Sequence, residues 1–335
     1  TGVQTCALPI CEIKMSNFWN LYPDLQEQLD EVTKIIEDSV RDSHDFIINA
    51  VHDTVQSGGK LLRPAFVLLG STFGEEPKIN ILNLAAIVEM LHIATLIHDD
   101  IIDEAKLRRG VESVQSKYGK DSAVFIGDYL FAKIFTLVNE DFHKESAIGL
   151  SKLIMKICRG ELTQYSLRYK FNSSIIQYLR IITGKTASLF SASLLVGAEE
   201  ANANEKIKNA LGKTGYRVGM AFQIIDDCLD YSTKNVIKKS TMNDLKQGYL
   251  TLPVIYALQK DKDGKLENLL KNSTFTNEEI GLIHSAVIEN NGLEQSRILA
   301  NKYTQKAYDS LRKLPDCESK DRLKYIIDEL LIRDY

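Results

Sequence analysis

Proline is scarce in this chain of 335 residues, and none occurs between Pro77 and Pro253. Because proline interrupts helices, so long a stretch without it favours helical structure. Apolar residues recur there at three- and four-residue steps, as on the buried face of a helix, and no run alternates as a β-strand does. The sequence therefore predicts an all-α protein, a single-domain bundle of about ten or more helices around a central cavity.

Cysteine and surplus positive charge are also lacking. The chain has 41 Lys and Arg against 45 Asp and Glu, a net charge of −4, which argues against nucleic acid as a partner. The cysteines are few and lack metal-ligand spacing, as expected of free thiols in a reducing cytoplasm. They are Cys6, Cys11, Cys158, Cys228 and Cys317.

Long apolar runs are missing as well. The longest, at 82–97, contains Asn83, Glu89 and His92, and it falls short of the roughly 18 apolar residues that a membrane span needs. No stretch has the length or composition of a flexible linker between domains. We therefore expect a cytoplasmic protein with no membrane span.

The first ten residues differ in character from the rest of the chain. A common sequencing adapter, when translated, encodes the same residues. We expect the natural protein to start at Met15, so that residues 1–14 are a non-native leader and 15–335 form one domain.

Two Asp-Asp-x-x-Asp patterns, each preceded by an apolar run, carry the strongest chemical signal. Residues four apart share a face of a helix, so the first and last carboxylates of each pattern lie together. Mg²⁺ typically takes one or two carboxylates together with waters and phosphate oxygens. One such pattern could equally be a solvated acidic face, but two copies predict facing metal sites with an anion between them. The patterns comprise Asp99, Asp100 and Asp103, then Asp226, Asp227 and Asp230.

Basic residues accompany both patterns, often beside glycine. Arginine binds phosphate oxygens through two nitrogens, and lysine supplies a point charge. Any one of these residues is more often a plain surface charge, yet together with the aspartates they predict a diphosphate site beside an apolar cavity. They are Lys60, Arg63, Arg108, Arg109, Lys185, Lys238 and Lys239.

In this order the motifs resemble those of the trans-type polyprenyl diphosphate synthases, enzymes of the isoprenoid-synthase fold, and above all the long-chain bacterial heptaprenyl and octaprenyl type. The resemblance extends from Phe18 to the C-terminus. The segments that carry it are Gly-Gly-Lys-Leu-Leu-Arg-Pro (58–64), His-Asp-Asp-Ile-Ile-Asp (98–103), Arg-Arg-Gly (108–110), Gly-Asp-Tyr-Leu (127–130), Gly-Lys-Thr-Ala (184–187), Phe-Gln-Ile-Ile-Asp-Asp-Cys-Leu-Asp (222–230) and Thr-Leu-Pro-Val-Ile (251–255).

The resemblance implies a Mg²⁺-dependent prenyltransferase, with three ions per active site that are partly ligated by substrate diphosphate. Such an enzyme adds isopentenyl diphosphate to an allylic diphosphate and makes a medium- or long-chain all-trans polyprenyl diphosphate, which we expect to serve quinone side chains. It would be a homodimer. The alternatives are a short-chain farnesyl or geranylgeranyl diphosphate synthase, and the catalytic subunit of a heterodimeric synthase.

The resemblance also assigns roles to single residues. Isopentenyl diphosphate would be bound by Lys60, Arg63, His92 and Arg109. The allylic diphosphate would be bound by Arg108, Lys185, Thr186, Gln223 and Lys239. Asp99, Asp103 and Asp226 would be the main metal ligands, supported by Asp100, Asp227 and Asp230, and Lys185 would join the six aspartates in catalysis. His92 could instead be a structural histidine on a buried helix face.

The loop after the second pattern departs from the family. The family has Gly-Lys-Pro-x-Gly before Asp-Leu, whereas this chain has Lys238-Lys-Ser-Thr-Met-Asn-Asp-Leu, one residue shorter. Lys238 is therefore a rival to Lys239, and Tyr249 stands where a basic residue is common.

Chain length would be set by the residues just before Asp99. Thr95 and Ala94, four and five residues earlier, are both small, and we expect both to share the face of Asp99 and to leave a tunnel open for a long product. In short-chain members of the family an aromatic residue often blocks one of these positions.

Two rival functions are a terpene cyclase of the same fold and a helical regulatory subunit. A cyclase would need only the first pattern in this form, and regulatory partners usually lose the aspartates. The second pattern and the Lys60/Arg63 pair argue against a cyclase, and the presence of all six aspartates argues against a regulatory subunit.

Overall fold

The computed structural model describes residues 17–77, 79–142, 144–231, 242–272 and 274–331. Helices dominate throughout. A 3₁₀ turn at Asn17–Trp19 precedes α1 (Pro23–Ser39), α2 (Asp45–Gln56), α3 (Leu62–Ser71), α4 (Ile81–Ile102), a ribbon of β1 (Leu107–Arg108) and β2 (Val111–Glu112), α5 (Val114–Tyr118), α6 (Lys120–Asp141), α7 (Lys144–Ser166), α8 (Ile175–Ile182), a π-helical turn (Thr183–Ala187), α9 (Ser188–Glu200), α10 (Glu205–Leu229), α11 (Asn243–Lys246), α12 (Leu252–Leu258), α13 (Lys265–Leu270), α14 (Asn277–Glu289), α15 (Gly292–Leu311) and α16 (Glu318–Leu331).

The all-α prediction is confirmed, with one small addition. The antiparallel ribbon β1–β2, with Arg108 opposite Val111, is the only sheet within the described residues. It lies in a segment that sequence periodicity marks as a loop. Two residues a strand are too few to produce an alternating pattern, so the sequence carries no signal for it.

Polar side chains fix where several helices begin. Ser174 and Gln177 form a reciprocal capping box at the start of α8, and Thr276 and Glu279 do the same at α14. Asn204 accepts a hydrogen bond from Ile207 N at the start of α10. Each cap pairs a backbone N–H that the helix itself leaves without a partner.

The backbone forms two compact units. Among the described residues, the first comprises 17–65 and Ala86–Leu137, and the second comprises Phe66–Ala85 and the described part of the chain from Val138 onward. The three boundaries between the units fall inside helices, one each in α3, α4 and α6.

The second unit has a tightly packed core. Phe66 and Phe190 are both fully buried and meet edge to face with ring centroids 5.7 Å apart. A methyl group on Gly215 would lie 2.4 Å from the carbonyl oxygen of Phe190. The absence of a side chain at this glycine therefore lets α9 pack closely against α10. The π-helical turn described below leads directly into α9.

Two helical stretches, Ile81–Ile102 and Ile175–Glu200, are long and apolar enough to cross a membrane by length and composition. In each, 61% of the apolar window is buried within the protein. Core helices of globular proteins pass the same test, so these stretches are weak evidence for a span.

Candidate active site

The first aspartate pattern lies at the end of α4. Asp99 and Asp100 belong to its last turn, and Asp103 follows one residue after Ile102, where the helix ends. The Asp103 N–H still donates a 2.8 Å hydrogen bond to the Asp99 carbonyl oxygen. The predicted spacing of four therefore places these two partly exposed side chains on one side of the helix end.

Asp100 has a different partner. It is 3% exposed, and its Oδ1 accepts a 2.9 Å hydrogen bond from Nε of Arg108 and another from Nη2 of the same residue. Burial lowers the pKa of Arg108, but the hydrogen bond and the charge of Asp100 outweigh burial and raise it. The ribbon β1–β2 thus presents a permanently charged guanidinium beside the first pattern.

Arg109 is seated on the glycine pair of the 58–64 segment. Its backbone has a φ of 53°, and its Nη1 donates a hydrogen bond to the Gly58 carbonyl oxygen. A methyl group on Gly59 would lie 2.6 Å from that same Nη1. The second glycine therefore leaves room for the Arg109 guanidinium, which would have to shift if a side chain stood there.

Arg63 and His92 belong to the same electrostatic cluster as Arg109. Burial lowers the pKa of Arg63 to about 10, with Arg109 acting in the same direction. Burial, followed by the charges of Arg63, Arg109 and Arg108, lowers the pKa of His92 well below its usual value. His92 is therefore a neutral hydrogen-bonding group at neutral pH.

Lys60 is anchored by aromatic residues at the start of the described chain. Its Nζ lies 4.5 Å from the centroid of the Phe18 ring, and its carbonyl oxygen accepts a 2.9 Å hydrogen bond from Nε1 of Trp19. The first unit thus contains all four residues predicted to bind isopentenyl diphosphate.

The second unit holds a separate cationic group on a π-helical turn. Lys185 and Thr186 lie in the turn Thr183–Ala187, which separates α8 from α9. A methyl group on Gly184 would lie 2.9 Å from the Cα atom of Gly160 in α7. Such π-helical turns are rare in proteins, and those that occur often lie at functional sites. This one was not predicted from the sequence.

Two side chains of α7 hold Lys185. Its Nζ lies 3.1 Å from Oε2 of Glu161 and donates a 3.3 Å hydrogen bond to Oε1 of Gln164. The sequence analysis assigned no role to either partner. Both lie in the segment Arg-Gly-Glu-Leu-Thr-Gln of α7. The three-residue spacing between the glutamate and the glutamine is the signal that could have indicated them.

A chain of hydrogen bonds links this turn to the second aspartate pattern. Thr186 Oγ1 donates to Gln223 Oε1 at 2.7 Å, and Gln223 Nε2 donates to Asp227 Oδ1 at 3.0 Å. The Tyr178 hydroxyl donates to Asp227 Oδ2 at 2.6 Å. Three predicted site residues are thus brought together, and Tyr178 is a member that the sequence analysis missed.

Carboxylates crowd around the second pattern. Burial, together with the charge of Asp244, raises the pKa of Asp227 to about 8. Burial and the charges of Asp244 and Asp226 raise the pKa of Asp230 to about 6. Asp244, in α11, was missed because it stands alone in the sequence rather than in a pattern. Closely spaced hard oxygen donors that disfavour their own ionisation suit a divalent cation.

The donor set fits Mg²⁺ held jointly with a substrate. Within the described ranges, no three His, Cys, Asp or Glu side chains form a group that could hold a metal ion by themselves. Mg²⁺ usually binds one or two carboxylates and completes its octahedron with waters and phosphate oxygens. Asp99 with Asp103, and Asp226 with its neighbours, match that mode of binding.

Several predicted residues stand apart from these clusters. Lys238 and Lys239 lie outside the described residues, as do residues 1–14. Thr95 is partly exposed, and its Oγ1 donates to the His92 carbonyl oxygen at 2.8 Å. Ala94 is fully buried. At 3.6 residues per turn Thr95 lies about 40° from Asp99 around the helix but Ala94 about 140°, so the expectation that both share its face is wrong for Ala94.

Comparison with known proteins identifies the class. A model of the polyprenyl synthetase family matches residues 44–287. Heptaprenyl diphosphate synthase component 2 of Bacillus subtilis is 38% identical over 91% of this chain and 88% of its own. The chain therefore belongs to the polyprenyl synthetase family and is a prenyltransferase.

Solved structures agree with this assignment. A geranylgeranyl pyrophosphate synthase from Lactobacillus brevis superposes with a TM-score of 0.89 at 31% identity, covering 94% of this chain and 99% of the other. A decaprenyl diphosphate synthase from Rhodobacter capsulatus superposes with a TM-score of 0.88 at 31% identity, covering 94% and 98%. The fold is that of the isoprenoid synthases.

Proposed function

We propose that this protein extends an allylic diphosphate with isopentenyl diphosphate units, and that it makes a medium- or long-chain all-trans polyprenyl diphosphate for quinone side chains. The observation that carries the proposal is the pairing of an aspartate pattern with a cationic group in each unit. Arg63 and Arg109, together with the neutral His92, form one such group, and Lys185, next to the Thr186 hydroxyl, forms the other. Two groups suit a reaction that binds two diphosphates.

The reaction forms one carbon–carbon bond per cycle. The bond between C1 of the allylic substrate and its diphosphate oxygen breaks, and both electrons leave with the diphosphate. The double bond of isopentenyl diphosphate then attacks the allylic cation, and a proton leaves its C2 to the released pyrophosphate. Bound Mg²⁺, which we propose to number three ions, would neutralise the charge of the leaving diphosphate.

The residues of this chain orient the two substrates. Lys60, Arg63, Arg109 and a neutral His92 would hold isopentenyl diphosphate. Arg108, Lys185, Thr186, Gln223 and Lys239 would hold the allylic diphosphate. Asp99, Asp103 and Asp226 would be the main metal ligands, with Asp100, Asp227 and Asp230 supporting them. Because Asp100 accepts a hydrogen bond from Arg108, its supporting role would include orienting the Arg108 guanidinium.

The small residues Ala94 and Thr95 support a long product, with Thr95 on the side of α4 that leads to Asp99. The names of similar proteins range from geranylgeranyl to decaprenyl synthases. The fold therefore does not set product length by itself. The side chains that line the path of the growing prenyl chain must do so.

We also propose that a second chain covers an apolar stripe on α7. Ile148, Met155 and Leu162 recur at seven-residue spacing and are 45%, 59% and 69% exposed. Such a stripe is typical of a contact surface. The chain would be a homodimer in the cytoplasm, where the free thiols of Cys158, Cys228 and Cys317 would stay reduced. Similarity to a protein named component 2 favours a heterodimer as the alternative.

The proposal is tested by incubating the purified chain alone with farnesyl diphosphate, isopentenyl diphosphate and Mg²⁺ and measuring product length. We expect products well beyond fifteen carbons. A product that stops at twenty carbons would indicate a short-chain synthase. If the chain is inactive alone but active with a co-purified second protein, it is the catalytic subunit of a heterodimer.

A further inference from the structure

Glu89 is a buried carboxylate to which the substrate and metal roles above give no function. It lies in α4, one turn before His92, and is 8% exposed. Its Oε2 is buried and makes no hydrogen bond within the part of the chain that the structure describes. A charged group in such a place is costly unless a nearby cation compensates it.

Two arginines supply the compensation. Burial raises the pKa of Glu89, and the charges of Arg63 and Arg109 oppose that rise without cancelling it. Arg63 and Arg109 also repel each other, because Arg109 lowers the pKa of Arg63. Arg108, the third guanidinium nearby, has Asp100 as its own carboxylate. The charge of Glu89 acts to raise the pKa of both Arg63 and Arg109, so this one carboxylate stabilises both guanidinium groups.

We propose that Glu89 is a positioning residue, which holds the guanidinium groups of Arg63 and Arg109 near each other so that both can bind one diphosphate. This inference rests on the proposed function, in which that diphosphate belongs to isopentenyl diphosphate. Without the carboxylate, mutual repulsion separates the two guanidinium groups, and the substrate has to bring them together again. Binding of isopentenyl diphosphate then weakens.

A competing effect has the opposite sign. The charge of Glu89 also repels an incoming diphosphate, so a variant that lost only this repulsion would bind the substrate more tightly. The direction of the change therefore separates positioning from simple charge repulsion.

The test compares Glu89→Gln and Glu89→Asp with Glu37→Gln in the full chain. Glu37, in α1, accepts a hydrogen bond from Gln56 and pairs with His52. Its replacement by glutamine therefore serves as a control that removes one carboxylate elsewhere in the protein. We expect Glu89→Gln to raise the KM for isopentenyl diphosphate about tenfold, with the allylic KM changed less than about twofold. Glu89→Asp, which keeps the charge, should restore part of the affinity, and Glu37→Gln should match the wild type.

A double-mutant cycle shows whether Glu89 acts through an arginine. If it does, Glu89→Gln added to an Arg63→Gln variant should raise the KM by clearly less than it does in the wild type, and additive effects would contradict the proposal. An unchanged or lower KM in Glu89→Gln, or equal rises in both KM values with a fall in melting temperature, would also overturn it. If Glu89→Gln does not fold, Glu89→Asp carries the same comparison, with a smaller rise expected. A wild-type enzyme that incorporates no isopentenyl diphosphate, either alone or with a second protein, would instead refute the proposed function.

Discussion

The Tyr178 hydroxyl donates a 2.6 Å hydrogen bond to Oδ2 of Asp227, and both side chains are buried. Gln223 holds the other oxygen of the same carboxylate. With both oxygens engaged, the middle aspartate of the second pattern has one fixed orientation. We therefore expect Asp227 to shape the site around Asp226 and Asp230.

Replacing Tyr178 with phenylalanine tests that role. The Tyr178→Phe variant keeps the ring but leaves Asp227 with one partner fewer, and we expect the allylic KM and the Mg²⁺ concentration for half activity each to rise roughly threefold to tenfold. Steady-state kinetics across a Mg²⁺ titration measures both. The control is Tyr308→Phe, which removes a hydroxyl bonded to Asp328 away from the two patterns, and equal effects in the two variants would contradict the assignment.

Both aspartate patterns should be essential for turnover. Asp99→Ala and Asp226→Ala each remove charge that stabilises the departing diphosphate, and we expect kcat to fall by about a hundredfold or more with the helical circular dichroism spectrum unchanged. Asp121→Ala, at an exposed position of α6, serves as the matched control. Near-normal turnover in either pattern variant would reject this mechanism.

The two cationic groups should act on different substrates. Lys60→Ala should mainly raise the KM for isopentenyl diphosphate, and Lys185→Ala mainly the KM for the allylic substrate, each by about tenfold or more because a charged hydrogen bond is lost. Separate titrations of the two substrates measure the difference. If both variants raise the same KM, the assignment of one group to each diphosphate is wrong.

Large side chains before Asp99 should shorten the product. Thr95→Phe places a ring on the side of α4 that leads to Asp99, so we expect products of about farnesyl or geranylgeranyl length with activity still measurable. We expect Ala94→Phe to shorten the product less than Thr95→Phe, because Ala94 lies about 140° from Asp99 around the helix. Because Ala94 is fully buried, that change should also cost about 1–3 kcal/mol of folding free energy through overpacking. Chromatography of dephosphorylated products checks both variants, and unchanged lengths would contradict the tunnel.

The sequence predicted the features that depend on local pattern. The absence of proline and the apolar periodicity indicated the helices, and Asp99 and Asp103 keep the expected spacing of four although α4 ends between them. The glycine pair before Lys60 was also recognised. Only the structure explains it, because the second glycine makes room for Arg109, which is distant in sequence.

The features that escaped prediction depend on contacts between distant segments. Tyr178 and Asp227 lie in different helices, and a single tyrosine in an apolar helix carries no signal for such a hydrogen bond. Glu89 interrupts an apolar run in the sequence, and only the structure reveals that the charges of Arg63 and Arg109 act on it. The π-helical turn at Lys185 needs an extra residue per turn, which side-chain periodicity over five residues cannot reveal.

The central claim is that this chain joins isopentenyl units to an allylic diphosphate, and the masses of its products test it most directly. Unlabelled farnesyl diphosphate is incubated with ¹³C-labelled isopentenyl diphosphate and Mg²⁺, with a parallel sample containing excess chelator. We predict a series of diphosphates that grow by one fully labelled five-carbon unit at a time to beyond twenty carbons, and no series with chelator. Unlabelled fifteen-carbon hydrocarbons or alcohols, formed without isopentenyl diphosphate, would contradict the account and indicate a terpene cyclase.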